Sequence, residues 1–179
     1  QSVKFKNQSL AGCTVALIKS KAIADGHAGS IIQTIIGCRK QGDEAVPTNG
    51  HLAIAHAEAL HLSKEQAEAF YGEHAGRSYF PGLIESVTGP EGVIAMVLTS
   101  RNSSETIKVW RGMMGPTDPN KARAEAPHSI RALYATEMPH TAVHGSDSQE
   151  AVEREVAIIW PNDVEREMSI TPSDDLEAE

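Results

Sequence analysis

The sequence predicts an α+β domain in which four short strands lie under helices. The chain has 179 residues, which is the length of one ordinary domain with room for a tail. Its residues are 40% apolar, which is enough for a hydrophobic core. Segments with strand and helix patterns alternate, but they are too short and too few for a doubly wound parallel sheet. A compact sandwich of helices on a small sheet is therefore the predicted class.

The first half of the chain supplies two strands and a helix. The apolar run 13–18 contains β-branched residues and predicts a buried strand. Isoleucines at helical spacing predict an amphipathic helix over 28–40. The Gly, Pro and Asn-Gly of 41–50 predict a loop, which reads as an insertion. The Ala-rich segment 51–62 is predicted as a strand from its position.

The second half continues the alternation. Ser63 with Gln66 three residues later is a capping-box pattern, which predicts a helix to about Tyr71. The later predicted segments are a helix over 81–87, a strand over 93–99, a helix over 103–114, a long irregular loop over 115–130, a short element at 131–135, the segment 141–148 and a helix from 147 or 148 to 159 that Pro161 ends.

Charge divides the chain into a nearly neutral domain and an acidic tail. The formal charge is −8. Residues 163–179 hold seven acids and one base, a net −6, which leaves −2 for the 15 bases and 17 acids of 1–162. We predict a lead-in segment over 1–12, one domain over 13–161 and an acidic, disordered tail over 162–179.

Composition argues against several classes of protein. An acidic chain does not favour nucleic acid or an anionic membrane as a partner, and its longest apolar runs are too short to span a bilayer. Cys13 and Cys38 are too few and too isolated for a disulfide framework or a zinc site, and they fit a reducing compartment. No signal peptide is recognisable. We therefore expect a cytoplasmic protein.

The sharpest local motif is His144-Gly-Ser-Asp-Ser148, which precedes a predicted helix. Free amides at a helix start suit an anion such as phosphate, and imidazole is a nucleophile near neutral pH. The alternative is a helix-capping segment with an incidental surface histidine. His51, His56 and His61 recur every five residues, but alternate strand positions face opposite sides, which disfavours a metal strip. His74 and His140 are predicted to be surface or loop histidines.

Seven segments together carry a family resemblance. They are Ala16-Leu-Ile-Lys19, Phe70-Tyr-x-Glu-His74, Arg77-Ser-Tyr-Phe80, Gly92-x-Ile-Ala-Met-Val97, Trp110-Arg-x-Met-Met-Gly-Pro-Thr117, Ser129-Ile-Arg131 and His144-Gly-Ser-Asp-Ser148. In this order, over residues 13–161, the sequence resembles the nucleoside diphosphate kinase family. The tract from Gly115 to Ala132 resembles the divergent branch with a longer loop, which includes domains of ciliary axoneme proteins, some of them fused to thioredoxin.

The resemblance implies a ferredoxin-like four-stranded antiparallel sheet and a ping-pong transfer of the γ-phosphate between nucleotides. It implies that His144 becomes phosphohistidine, that Glu155 holds the other ring nitrogen, that Ser146 assists the histidine and that Tyr71 touches the γ-phosphate region. The implied cofactor is Mg²⁺, which rides on the nucleotide phosphates with no direct protein ligand; Asp147 contacts it at most through water.

The resemblance also implies nucleotide-binding residues and partners. The implied nucleotide-binding residues are Lys19, Tyr79, Arg111, Thr117, Arg131 and Thr141, with Tyr79 in the position of a base-stacking aromatic. The implied partners are nucleoside di- and triphosphates and a ciliary or axonemal protein complex, with no nucleic acid and no membrane. The expected location is the cytoplasm or the axoneme of a cilium or flagellum. Whether the chain associates with further copies of itself is left open.

Two departures from the family pattern keep a second hypothesis open. The chain has Lys19-Ser-Lys21 where the family has Lys-Pro-Asp, and Thr141 where the family has an asparagine that helps to hold the ribose. A threonine hydroxyl replaces an amide with both donor and acceptor, which predicts weaker nucleotide binding. The chain is therefore expected to be either a kinase, in full or weakened form, or a structural or nucleotide-sensing domain of a ciliary assembly.

Overall fold

A computed structural model describes residues 9–41, 44–47 and 52–164 of the chain. The strands are β1 (Cys13–Ile18), β2 (Cys38–Gln41), β3 (Glu44–Pro47), β4 (Leu52–Leu60), β5 (Val93–Ser100) and β6 (Val143–Gly145). Four of them form an antiparallel sheet in the order β4-β5-β1-β6, and β2 pairs with β3 in a separate two-stranded sheet. The prediction of an α+β, ferredoxin-like domain is confirmed.

The helices pack on both faces of this sheet. They are α1 (Ser20–Ala24), α2 (Ala28–Ile35), α3 (Lys64–Phe70), α4 (Phe80–Val87), α5 (Thr106–Met114), α6 (Pro119–Glu125), α7 (Ile130–Tyr134), α8 (Gln149–Ile159) and α9 (Pro161–Val164), with single 3-10 turns at Gly72–His74 and Ser103–Glu105. In the described part of the chain, no helix has the length and apolar character needed to cross a membrane.

The central strand β1 explains why helices are needed on both sides. All six of its residues are buried, and successive side chains of a strand point to opposite faces. Val15 and Leu17 therefore join one core cluster, with residues of α3, α4 and α8. Ala16 and Ile18 join the other, with residues of α2 and α5. This strand ends at Ile18 beside β6 and Lys19 follows it, so the core sets the position of the candidate site.

The capping-box prediction at Ser63 is confirmed. The Ser63 Oγ accepts the Gln66 backbone N–H at 3.0 Å, and the Gln66 Oε1 accepts the Ser63 N–H at 2.9 Å. These two bonds satisfy donors that the first turn of a helix leaves without partners. They set the start of α3, the helix that leads into Phe70 and Tyr71.

Two predictions about residues 28–50 are wrong in part. The helix predicted over 28–40 ends at Ile35, because Gly37 adopts φ +78 and its N–H closes the last turn on the Thr34 carbonyl. The chain then enters β2. The loop predicted over 41–50 contains β3, which pairs with β2. The other residues of that predicted loop, apart from Gln41, lie outside the described part.

The irregular loop predicted over 115–130 is also wrong in part, because it contains α6. Asp118 caps this helix by accepting the backbone N–H groups of Asn120 at 2.8 Å and Lys121 at 3.2 Å. Pro119 follows at the first helical position, where its missing N–H is not needed. The Asp-Pro pair was the sequence signal for this start.

The chain forms one more short helix after α8. Helix α8 ends at Ile159 as predicted, but Pro161 begins the short helix α9 rather than only ending α8. The described part of the chain ends at Val164, and the predicted domain end at 161 stays a prediction. The rest of the predicted acidic tail, from 165 onward, and the lead-in residues 1–8 lie outside the described part.

Candidate active site

The site is centred on a histidine held by a buried carboxylate. The His144 Nε2 lies 2.9 Å from the Glu155 Oε1, and the Ser146 hydroxyl donates to the other carboxylate oxygen at 2.6 Å. Glu155 is 3% exposed, and Ser146 is fully buried. Because both carboxylate oxygens accept hydrogen bonds, Glu155 fixes the Nε2–H tautomer of His144 and leaves Nδ1 as the basic nitrogen.

Strand pairing and a tryptophan fix the backbone around His144. Strand β6 pairs with β1, so that His144 lies opposite Leu17. The Trp110 Nε1 donates to the His144 carbonyl at 3.2 Å, and Arg111 donates to the Gly145 carbonyl at 3.3 Å. The ring also makes edge contacts with the aromatic rings of Phe70 and Tyr71, at centroid distances of 4.6 and 5.7 Å. The imidazole is therefore held on several sides.

Gly145 allows the Trp110 indole to approach this closely, which gives a first prediction. A Cβ at Gly145 would lie 2.6 Å from the Trp110 Nε1 and 2.7 Å from the Met114 Cε. Gly145→Ala is expected to reduce the free energy of unfolding by about 1–3 kcal/mol, measured by urea denaturation. Gly112→Ala in α5 is the control, because its Cβ meets nothing within 4 Å; it is expected to stabilise by about 0.5–1 kcal/mol. Equal stability of the two variants would contradict this explanation.

Three cationic side chains lie near the histidine. Lys19 and Arg131 are 3% and 8% exposed, and burial together with the Arg131 charge lowers the pKa of Lys19 to about 7. Burial and the neighbouring Arg111 lower the pKa of Arg131 to about 10, so it stays charged at neutral pH. Arg131 is held by the carbonyls of Gly115 and Val143. The fold thus keeps like charges close together, and a bound anion would reduce the repulsion between them.

These side chains line a cavity of about 370 Å³, a volume typical of small-molecule sites. Nine of the predicted site residues lie on its wall: Lys19, Tyr71, Tyr79, Arg111, Thr117, Arg131, His144, Asp147 and Glu155. Ser146 lies behind the wall and contacts Glu155. Thr141 is 2% exposed and also lies behind the wall, where its hydroxyl accepts from the Lys19 Nζ at 3.1 Å.

The cavity also contains residues that sequence reasoning missed. His74, predicted as a surface or loop histidine, lines the cavity, and its Nδ1 lies 3.1 Å from the Tyr79 hydroxyl. Glu73 and Arg154 form an ion pair at 3.0 Å on the same wall. Met138, 48% exposed, completes the outer edge. Glu73 and His74 lie in the segment Phe70-Tyr-x-Glu-His74, one of the segments that carry the family resemblance, and this was the sequence signal that they belong near the site.

Two buried donors in the cavity wall have no hydrogen-bond partner among the described residues. They are the Tyr71 hydroxyl and the Arg131 Nε. Burial, together with the Glu155 charge, raises the pKa of Tyr71, so its hydroxyl stays protonated and can donate. Because buried polar groups are normally paired, these donors suit a ligand rich in acceptor oxygens.

The described residues contain no group of three or more His, Cys, Asp or Glu side chains that could hold a metal ion. His51 of the spaced histidines lies outside the described part. Asp147 supplies one carboxylate on the cavity wall. A carboxylate at this place could contact, through water, a divalent cation that a bound phosphate ligand carries.

The buried amine of Lys19 predicts a pH-dependent stability difference. Its pKa is lowered from 10.5 to about 7, so between those pH values the unfolded chain binds a proton that the folded chain does not. The wild type therefore loses stability as pH falls through this window. Lys19→Met is expected to raise the free energy of unfolding by about 1–3 kcal/mol at pH 7, and the gain should shrink as the pH approaches about 10.

Urea denaturation of wild type and variant from pH 6 to pH 10 measures this gain. Lys21→Met is the control, because Lys21 is partly exposed in an ion pair with Asp25. It is expected to change stability by less than about 0.5 kcal/mol at every pH. A constant difference between Lys19→Met and the wild type would contradict the assignment of a lowered pKa.

The sheet order and a carboxylate-held histidine beside a cationic cavity define a ferredoxin-like domain with a site suited to an anion. Residues 12–164 match the family model of nucleoside diphosphate kinase. The chain belongs to the nucleoside diphosphate kinase family.

Two relatives differ in how much of their own length this chain covers. A probable nucleoside diphosphate kinase 5 of Arabidopsis thaliana is 43% identical over 116 residues, which are 64% of this chain and 77% of that protein. The human thioredoxin domain-containing protein 6 is 37% identical over 151 residues, which are 84% of this chain. The chain spans only 42% of the length of that human relative.

Solved structures agree with the fold. The nucleoside diphosphate kinase of Aquifex aeolicus superposes with a TM-score of 0.69 at 32% identity, covering 83% of this chain and 94% of that one. The halophilic nucleoside diphosphate kinase of Halobacterium salinarum, solved in complex with CDP, superposes with a TM-score of 0.67 at 26% identity, covering 83% and 86%.

Proposed function

We propose that this domain is a nucleoside diphosphate kinase that transfers a γ-phosphate through phosphorylated His144. One observation carries the proposal: Glu155 holds the His144 Nε2, which leaves Nδ1 as the nucleophile of a histidine that lines a cationic cavity. A γ-phosphate carries negative charge, and Lys19, Arg111 and Arg131 supply positive charge at that cavity. The family assignment supports this chemistry.

In the first half-reaction the Nδ1 lone pair attacks the γ-phosphorus of a nucleoside triphosphate. The N–P bond forms as the bond from phosphorus to the β–γ bridging oxygen breaks, and that oxygen leaves with the electron pair on the nucleoside diphosphate. The Nε2 proton stays in the hydrogen bond to Glu155, which stabilises the positive charge that develops on the ring. The second half-reaction reverses these steps with another nucleoside diphosphate.

The other cavity residues have roles that follow from their donors. The Tyr71 hydroxyl and the Arg131 Nε, which have no partner among the described residues, would donate to phosphoryl oxygens. Thr117 offers a hydroxyl from the same wall. The Tyr79 ring is 46% exposed at the cavity and would stack on the base, an interaction with little preference among bases.

Mg²⁺ would enter this reaction with the nucleotide. When bound with the nucleotide, it would neutralise part of the phosphate charge. Asp147 is the residue that would reach it through water, because its carboxylate lies on the cavity wall beside His144.

The direct test is to incubate the purified protein with Mg²⁺ and ATP labelled at the γ-phosphate. The expected product is acid-labile, alkali-stable protein phosphate that disappears when GDP or CDP is added and reappears as labelled triphosphate. An unlabelled protein under these conditions would contradict the proposal. Label that stays on the protein after the addition of either diphosphate would contradict the second half-reaction.

A second candidate is a structural or nucleotide-sensing domain of a larger protein. The observation that favours it is the similarity to thioredoxin domain-containing proteins, because this chain spans 42% of the human one. Placement in a ciliary axoneme stays a prediction. Nucleotide binding measured by calorimetry, without any phosphorylation of His144, is the result expected for this alternative.

A further inference from the structure

Lys19 differs from the other two cations of the cavity in how its charged group is held. Arg131 donates to the Gly115 and Val143 carbonyls, and Arg111 donates to the Gly145 carbonyl, so backbone atoms orient both guanidinium groups. The Lys19 Nζ instead donates to a side chain, the Thr141 Oγ1, at 3.1 Å. A lysine has a flexible four-carbon stem, so the position of its ammonium depends on such a contact.

The segment that contains Thr141 contacts Lys19 at both ends. The Ala142 carbonyl accepts the Lys19 backbone N–H at 2.9 Å, while the Thr141 hydroxyl accepts from its Nζ. Thr141 and Lys19 are both buried, at 2% and 3% exposure. A tight turn keeps them there: the Val143 N–H donates to the Thr141 carbonyl at 2.8 Å, and Ala142 adopts φ +66. A residue with a side chain rarely keeps such a φ unless its surroundings enforce it.

A hydroxyl suits this task better than a carboxylate would. It accepts one of the three Nζ protons and adds no negative charge, so the ammonium keeps its attraction for a phosphate and two of its donors. The titratable side chains that line the cavity together with Lys19 come from several elements: Tyr71, Glu73, His74, Tyr79, Arg111, Arg131, His144, Asp147, Arg154 and Glu155. Among the described residues, Arg131 is the one whose charge lowers the pKa of Lys19, in addition to burial.

We propose that Thr141 is a positioning residue that sets the place of the Lys19 ammonium in the cavity and acts on the nucleotide through Lys19. The proposal rests on the proposed function only for its kinetic consequence; the contact between the two side chains is independent of any activity. In this proposal Thr141, which lies behind the cavity wall, contacts Lys19 and does not contact a ribose.

The first test measures the pKa of Lys19 in the protein without nucleotide. The Lys19 side chain is titrated by NMR with ¹³C-labelled lysine, and Lys19→Met identifies its signal. A hydrogen bond to the ammonium favours the charged form, so Thr141→Val is expected to lower the Lys19 pKa by about one unit. Thr141→Ser keeps the hydroxyl and is expected to leave the pKa unchanged. Identical titrations of the wild type and Thr141→Val would overturn the proposal.

The second test is a double-mutant cycle on phosphate transfer. Thr141→Val is expected to raise the KM for ATP about tenfold at pH 8 and to change kcat little, because a lysine that binds the phosphates in both ground and transition states acts uniformly. Thr141→Ser is expected to restore the wild-type KM. In Lys19→Met the same Thr141→Val change should have no effect. A KM increase of the same size in Lys19→Met would show direct contact with the nucleotide and overturn the proposal.

These two tests separate failure of the proposal from failure of the kinase function. A wild type that transfers no phosphate would contradict the kinase function, while the NMR titration would still decide whether Thr141 acts on Lys19. Thr141→Ala is the second variant, since it removes the hydroxyl and adds no volume, and it serves if Thr141→Val does not fold. Thermal unfolding of each variant verifies that it is folded.

Discussion

His144→Ala is expected to reduce phosphate transfer between nucleotides by at least about 10⁴-fold and to remove all acid-labile phosphate from the protein. The reason is that the described cavity wall holds one imidazole in a carboxylate hydrogen bond at 2.9 Å, and that imidazole alone has its tautomer fixed for attack. The measurements are a coupled nucleotide-transfer assay and labelling by ATP, followed by acid and alkali treatment.

Two comparisons make this result specific. His128→Ala is the control, because His128 is an exposed histidine between α6 and α7 and does not line the cavity. It is expected to retain wild-type labelling. Nucleotide affinity measured by calorimetry should change little in His144→Ala, since the cations and Tyr79 remain. Persistent acid-labile label in His144→Ala would show that another residue accepts the phosphate.

Glu155→Gln is expected to slow phosphorylation of the protein by about 100-fold or more while leaving nucleotide affinity nearly unchanged. Glu155 accepts from the Ser146 hydroxyl through one oxygen and from the His144 Nε2–H through the other. Glutamine has one acceptor oxygen and one NH₂ donor, so it cannot accept from both. When its NH₂ faces the imidazole, the ring proton moves to Nδ1, and the nucleophilic lone pair is lost.

Rapid-quench labelling measures the rate, and ¹⁵N NMR of the histidine side chains reports the tautomer of His144 directly. Glu153→Gln makes the same chemical change two residues earlier on α8, where the side chain is exposed, and is expected to behave as the wild type. A wild-type rate in Glu155→Gln would mean that the carboxylate has no part in orienting the histidine. A fast rate with a changed tautomer would instead assign the attack to Nε2.

The elements predicted correctly are those with a strong local signal. The apolar run of β1, the capping box at Ser63 and the capped start of α8 at Ser148 depend on contacts within a few residues, which a sequence displays directly. Helix α6 also had such a signal in its Asp-Pro start, but the prolines and glycine around it favoured a loop. The local sequence signal for the pairing of β2 with β3 was weaker, because strand formation depends on contacts with the partner strand.

The residues of the candidate site also fall into those that the sequence indicated and those that it did not. Family motifs pointed to His144, Glu155 and the cations, and the structure brings these residues to one cavity. They did not indicate that His74 lines that cavity or that Arg154 pairs with Glu73 on its wall. These placements follow from the packing of α3 and its 3-10 turn against α8, which no local pattern encodes.

The sequence alone determined the α+β class, most of the strands and helices, and the set of residues that we propose for a phosphohistidine site. The tertiary structure decided how those residues are used. Lys19 and Thr141 lie 122 positions apart and touch only because β1 pairs with β6. The lowered pKa of Lys19 comes from burial and from Arg131, both of which exist only in the folded chain. Burial and long-range contact are properties of the packed sheet, and a linear pattern does not contain them.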